Sequence, residues 1–231
     1  MINKNILKIT AILLLLFMSN KGFLLSQSAD NKSVKNKVYN VSSLDWKLWG
    51  YRPENWKMDF NFKDLNGPKA EIINIPVKVP GSVQKALKDA GVIDDWNIGN
   101  NYIDIEWIEN RHWIFAAKVP DEWINKESNV ILNCRGLDDN GVIIVNGKEA
   151  GKFNNTFIPY NFDITPFLKD KNNTLAIVFE CPPSYLGQIG YTSKIKDWKP
   201  RFYYGWDWIP RIVQVGIWDD MILEVLSKDY S

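Results

Sequence analysis

The chain has 231 residues, with 28 basic and 27 acidic side chains, one histidine and two cysteines. That length suits one large domain with a well-filled core, and the balanced charge, with no basic stripe, leaves nothing for nucleic acid or an anionic membrane to grip. Two cysteines and His112 make no metal-ligand set and no cofactor motif is present, whereas eleven tryptophans are an excess that favours carbohydrate or peptide binding, or a large interface, over a plain core.

At the N-terminus, Lys4 and Lys8 flank the start of an apolar run over 9–18, and Ser26-Gln27-Ser28-Ala29 offers small residues for cleavage. Residues 1–28 read as a signal peptide and predict export, periplasmic or extracellular; an uncleaved anchor extended by Leu24-Leu25 is the alternative. Cleavage removes Lys4, Lys8 and Lys21 and no acid, which leaves 25 basic against 27 acidic residues. Residues 29–41, rich in Asn, Lys and Ser, read as a disordered leader.

The alternation over 44–49 predicts a first strand. Trp56, Met58, Phe60 and Phe62 also alternate, which predicts an edge strand inside an otherwise loop-like stretch. Pro76 makes 72–79 an extended edge strand. Ser82 is placed to cap a short helix over 83–90 that Gly91 ends. His112, beside Arg111, reads as a solvated turn residue. Strands follow at 113–119, 129–134 and 141–145, and Asn146-Gly147 marks a hairpin turn. The pattern continues with a strand over 157–162, a helical turn at Thr165-Pro166-Phe167-Leu168 and a strand over 175–180. A long loop over 184–199 precedes the last strands, 213–215 and 217–225. Cys134 and Cys181 read as free thiols, with a disulfide as the alternative. Many short strands and one convincing helix indicate an all-β fold, a two-sheet β-sandwich, over 42–226, with 227–231 as a tail.

The stretch Arg201-Phe202-Tyr203-Tyr204-Gly205-Trp206-Asp207-Trp208-Ile209-Pro210 stands apart. A buried strand has little use for an Asp held between two indoles. Indole rings stack on the apolar faces of sugars, and a carboxylate accepts hydrogen bonds from a pair of sugar hydroxyls, so Trp206, Asp207 and Trp208 are the candidate binding residues. The competing reading is a Trp-rich loop packed under a sheet, with Asp207 capping backbone N–H groups.

Gly205-Trp206-Asp207-Trp208 with Pro210, then Gly216-Ile217-Trp218 and an apolar strand to Leu223-Glu224, resembles the end of the first domain of β-mannosidase-type enzymes of glycoside hydrolase family 2. Val79-Pro80-Gly81-Ser82-Val83, Leu87 and Gly91-Val92-Ile93-Asp94 resemble that domain's opening segment. Asn100, Trp107 and Trp113, Gly136-Leu137-Asp138, Val145-Asn146-Gly147 and the segment 157–165 fall in the family's order. The resemblance implies a galactose-binding-like jelly roll over 42–226 and a β-mannoside-type carbohydrate as ligand. It also implies that Asp207 bonds sugar hydroxyls, Trp206 walls the pocket and Trp208 holds the loop in place. Two departures stand out: Asp94-Asp95-Trp96 replaces an Asp-Pro-Tyr-like sequence, and Ile209 stands where family members often have Gly.

Retaining hydrolysis needs two carboxylates about 5–5.5 Å apart across one sugar. The resemblance places both, as glutamates, on a (β/α)8 barrel of around 250 residues, for which these residues leave no room. Within this chain the doublets Asp94-Asp95, Asp138-Asp139 and Asp219-Asp220 point to opposite faces of extended backbone, and Glu106 and Glu109 read as solvated loop acids. His112 has no nucleophile motif beside it. No residue is therefore assigned a catalytic role, and a separate or missing barrel is the implied partner. A free-standing exported carbohydrate-binding module and a structural domain that has lost sugar contact are the alternatives.

Overall fold

The computed structural model describes residues 36–125, 127–186 and 191–227, all within one compact unit. The expected signal peptide over 1–28, residues 29–35 of the expected leader and residues 228–231 of the expected tail lie outside them. In chain order the elements are β1 (Lys37–Asn40), β2 (Lys47–Tyr51), α1 (Trp56–Asp59), β3 (Ile72–Pro76), β4 (Gly81–Ser82), α2 (Val83–Asp89) and β5 (His112–Val119). They continue with β6 (Ser128–Cys134), β7 (Leu137–Asp138), β8 (Gly141–Val145), β9 (Lys148–Phe153) and β10 (Tyr160–Asp163). The last are β11 (Asn173–Phe179), β12 (Gly216–Ile217) and β13 (Met221–Ser227).

The strands form a four-stranded sheet in the order β1-β13-β6-β10, a six-stranded sheet β3-β2-β5-β11-β8-β9 and a short three-stranded sheet β4-β12-β7, all antiparallel. The two larger sheets face each other as a sandwich. β6 and β13 alternate, sending Val130, Leu132, Cys134, Met221, Leu223 and Val225 into the core. They meet Trp113, Phe115, Ile143, Leu175, Ile177 and Phe179 from the six-stranded sheet. Each such aliphatic side chain contributes roughly 1.5–3 kcal/mol on full burial.

β8 and β11 do not alternate, because both of their faces are buried. Their outer residues, with Trp49, Tyr51, Ile114 and Ala116, pack under Trp56, Phe60 and Ala70. This cover is the stretch whose alternating aromatics predict an edge strand. It forms instead the one-turn helix α1 and a bridge between Asn61 and Asn66. Trp56 and Phe60 are four residues apart, which suits a helical turn as well as a strand, and Met58 between them is 88% exposed. Tyr51 secures the cover by donating its hydroxyl to Asp59 (2.8 Å), and burial with that carboxylate raises the Tyr51 pKa.

Several local expectations hold. Ser82 Oγ accepts from Lys85 N (3.2 Å), and Gly91 takes a left-handed φ of 71° just beyond the end of α2. Asn146 and Gly147, with φ of 53° and 83°, join β8 to β9 in the tight hairpin expected of that dipeptide. β3, carrying Pro76, lies at an edge. Both cysteines are free, and burial raises the Cys134 pKa.

Other expectations change. β1 lies inside the stretch read as leader and pairs with β13, with Tyr39 stacked on Trp123 at 4.6 Å. An edge strand with Val38 64% exposed needs no apolar alternation, so its sequence looked unstructured. The strand over 157–162 starts only at Tyr160. His112 is 5% exposed, and its Nδ1 accepts from the Trp56 indole N–H at 3.0 Å. Burial lowers its pKa, so it sits as a neutral acceptor beneath α1.

Candidate functional site

The stretch between Lys199 and Gln214 leaves the sandwich as one loop. Arg201–Tyr204 form a 3-10 turn, and Gly205 ends it at φ 107°, a value that favours glycine. Trp206 and Ile209 then exchange two main-chain hydrogen bonds, of 3.1 and 2.9 Å, which puts Asp207 and Trp208 at the tip of a tight turn. Ile212 N donates to Tyr203 O (2.9 Å) and closes the loop below. Ile209 does not have a positive φ, so the turn leaves through a backbone conformation that a β-branched residue adopts without strain.

The tip projects. Trp206 is 49% and Trp208 78% exposed, and Asp207 is exposed between them. Among the described residues Asp207 caps no backbone N–H, in contrast with the packed-loop alternative. The three expected residues are therefore together, on an exposed turn. A cavity of about 360 Å³ lies beside the loop's base, between Tyr203 and Trp218, with Ser82, Lys85, Asp138 and Gln214 on its walls. A larger one of about 660 Å³ lies against Trp46 and α2. Neither is lined by Trp206, Asp207 or Trp208.

Beneath the loop is a buried polar floor that sequence reading did not find. Lys199, with its side chain fully buried, places Nζ 2.6 Å from Asp138 Oδ1 and donates to Gln214 O at 2.7 Å. Thr156 Oγ1 donates to the same Asp138 oxygen (3.0 Å), and the Lys199 ammonium lies 5.4 Å from the Tyr203 ring centroid. Burial pushes the Asp138 carboxyl up, opposed by Lys199 and Thr156. Neighbouring Asp139 is pushed up to about 6, by burial first, with Lys199 again opposing.

The exit arm of the loop, Val213-Gln214-Val215, was expected to be a strand. It forms no strand with the described residues, because its main chain is served otherwise. Gln84 donates to Val213 O (2.8 Å) and accepts from Val215 N (3.4 Å), Val83 N donates to Val215 O (2.8 Å), and Lys199 takes Gln214 O. Farther along, Arg211 pairs with Glu109 (2.6 Å), bonds Ser184 O (2.8 Å) and lies 4.8 Å from the Tyr204 ring centroid. The Tyr204 hydroxyl is buried without a partner among the described residues.

This arrangement presents an exposed apolar and carboxylate surface at the tip of the loop. Among the described residues no cluster of His, Cys, Asp or Glu has the geometry to hold a metal ion. The described residues contain no (β/α)8 barrel.

The family profile described as glycosyl hydrolase 2 galactose-binding domain-like matches residues 56–219. Beta-mannosidase B of Emericella nidulans is 27% identical over 193 residues, which are 77% of this chain and 22% of that protein. Beta-mannosidase of Capra hircus is 29% identical over 191 residues, covering 72% of this chain and 21% of that protein. The crystal structure of beta-D-mannosidase from Dictyoglomus thermophilum aligns with a TM-score of 0.65 and 26% identity, over 83% of this chain and 23% of that one. An exo-chitosanase of Amycolatopsis orientalis, 14% identical with a TM-score of 0.61, shares the fold. The chain thus spans only 22% and 21% of the two curated relatives. By the extent of the profile match and the sandwich beneath it, the chain belongs to the glycosyl hydrolase 2 galactose-binding domain-like family.

Proposed function

We propose that this chain is the non-catalytic sugar-binding domain of a β-mannosidase-like glycoside hydrolase, and that the 205–209 turn completes the sugar pocket on a barrel domain. Asp207 accepts hydrogen bonds from sugar hydroxyls, Trp206 supplies an apolar wall, and Trp208 steadies the turn against the surface that covers it. The observation that carries this reading is the tip itself: a carboxylate with no bond inside the described residues, between two exposed indoles, on a turn closed by its own main chain. Exposed aromatics also occur close by in the chain at Trp198, Phe202 and Trp218, which suits a partner surface. The two glutamates of retaining hydrolysis belong to the barrel, and residues 1–28 direct export.

The test is the intact mass of the protein captured from its own source with an antibody to this domain. A product several times heavier than 26.8 kDa that hydrolyses β-mannosides is expected. A product slightly lighter than 26.8 kDa would overturn the reading in favour of an independent exported module.

A further inference from the structure

The loop that carries Trp206 and Asp207 has almost no ladder of its own. Among the described residues, the main-chain bonds seen between its feet are those of the Trp206–Ile209 turn, the bond from Ile212 to Tyr203 and the short bonds of the 3-10 turn. Its attitude on the sandwich is set by side chains: Arg211 ties the exit side to Glu109 and Ser184 O, and at the feet one side chain reaches both. Lys199 is itself the first foot, and its ammonium bonds the carbonyl of Gln214, the second. The same ammonium bonds Asp138 on β7, whose partner strand β12 begins at Gly216, immediately after the exit arm.

We propose that Lys199 is a positioning residue for the sugar-contacting turn, with its buried ammonium fastening both ends of the loop to Asp138 of the three-stranded sheet. The inference rests on the sugar-binding reading of that turn, and it adds a residue that touches no ligand. Burying an ammonium is costly even when it is paired, and an apolar side chain of similar length would fill the same space. What a lysine supplies is direction: hydrogen-bond donors from one atom, aimed at two fixed oxygens. Fixed geometry is what a recognition turn on a long loop needs. Gln84 assists by holding Val213 and Val215, on either side of the carbonyl that Lys199 takes.

Hydrogen exchange of the 231-residue chain tests the proposal at the amides of Trp206, Ile209 and Ile212, which report local opening of the loop. Lys199→Met should speed exchange at these amides by about tenfold or more beyond any change at amides of β5 and β11. Thr156→Ala is the control: it removes another hydrogen bond to Asp138 without touching the loop, and should leave the three amides changed no more than the core. Unchanged loop amides in Lys199→Met, or a uniform acceleration equal to the core's, would overturn the proposal. If Lys199→Met does not fold, Asp138→Asn decides by the same readout, with acceleration confined to the loop in support and none against. Mannoside binding separates the two claims. If Asp207→Ala leaves binding intact, the sugar reading fails while the exchange data still judge Lys199; if Asp207→Ala abolishes binding and the loop amides ignore Lys199, only the positioning role fails.

Discussion

Eight of the eleven tryptophans fall into two contrasting sets, while Trp96, Trp107 and Trp123 are half-buried against the core. Trp46, Trp49, Trp56 and Trp113 are each at most 7% exposed, in or against the sandwich, whereas Trp198, Trp206, Trp208 and Trp218 are 48–78% exposed and lie in one short stretch of the chain. Three of the buried indoles have their N–H groups satisfied by Val41 O, His112 Nδ1 and Ile108 O. Trp49 Nε1 alone is buried without a partner among the described residues. The buried set stabilises the fold, and the exposed set is free to contact something else. The same residue type thus has two physical roles, separated by position in the chain.

Substitutions that exploit this division should differ most in stability. Trp113→Ala, at a fully buried ring packed on Gly50, should cost about 3–5 kcal/mol in urea unfolding. A cost below about 1 kcal/mol would break the division at its core end.

The polar floor belongs to the buried half, and its signature is a pH dependence. Asp139 has a folded pKa near 6, above the unfolded value of about 3.9, so its contribution is fully present below pH 4 and is lost as pH rises through 6. Asp139→Asn should therefore raise stability at pH 7, on the order of 2 kcal/mol, and flatten the fall between about pH 4 and 6. Unfolding curves at pH 4, 5.5 and 7 measure this, and identical slopes for the two proteins would contradict it. His112→Phe should cost about 1–3 kcal/mol at neutral pH by leaving the Trp56 N–H without its acceptor. Paired with Trp56→Phe, the loss should shrink in a double-mutant cycle. Smallest of all, Trp206→Ala and Trp208→Ala should each change stability by less than about 0.5 kcal/mol while weakening mannoside binding. Unfolding loss comparable to that of Trp113→Ala would place these rings with the core.

Much of the frame was legible because its signals are local. The Asn146-Gly147 turn, the Ser82 cap, Pro76 on an edge and the apolar runs of β8 and β11 each fix structure within a few residues. The exposure of the tip was legible too, because an Asp held between two indoles suits a surface better than a core. The floor was not. Lys199 meets Asp138 across 61 residues, and a lysine in Asp197-Trp198-Lys199-Pro200 looks like any solvated loop charge until the fold buries it. His112 misled in the same way, since its partner Trp56 lies 56 residues earlier. Residues 213–215 have the composition of a strand, yet Gln84 and Lys199 occupy the bonds a partner strand would make. Side chains that substitute for a sheet neighbour leave no periodic trace.

The most direct measurement is the affinity of the protein, captured from its source, for a β-mannoside, compared with that of its Asp207→Ala variant. The account predicts a loss of about tenfold to a hundredfold, the scale of one or two charge-assisted hydrogen bonds, with unfolding stability unchanged. Equal affinity in the two proteins would contradict it, and would leave the exposed turn as a surface for some other contact.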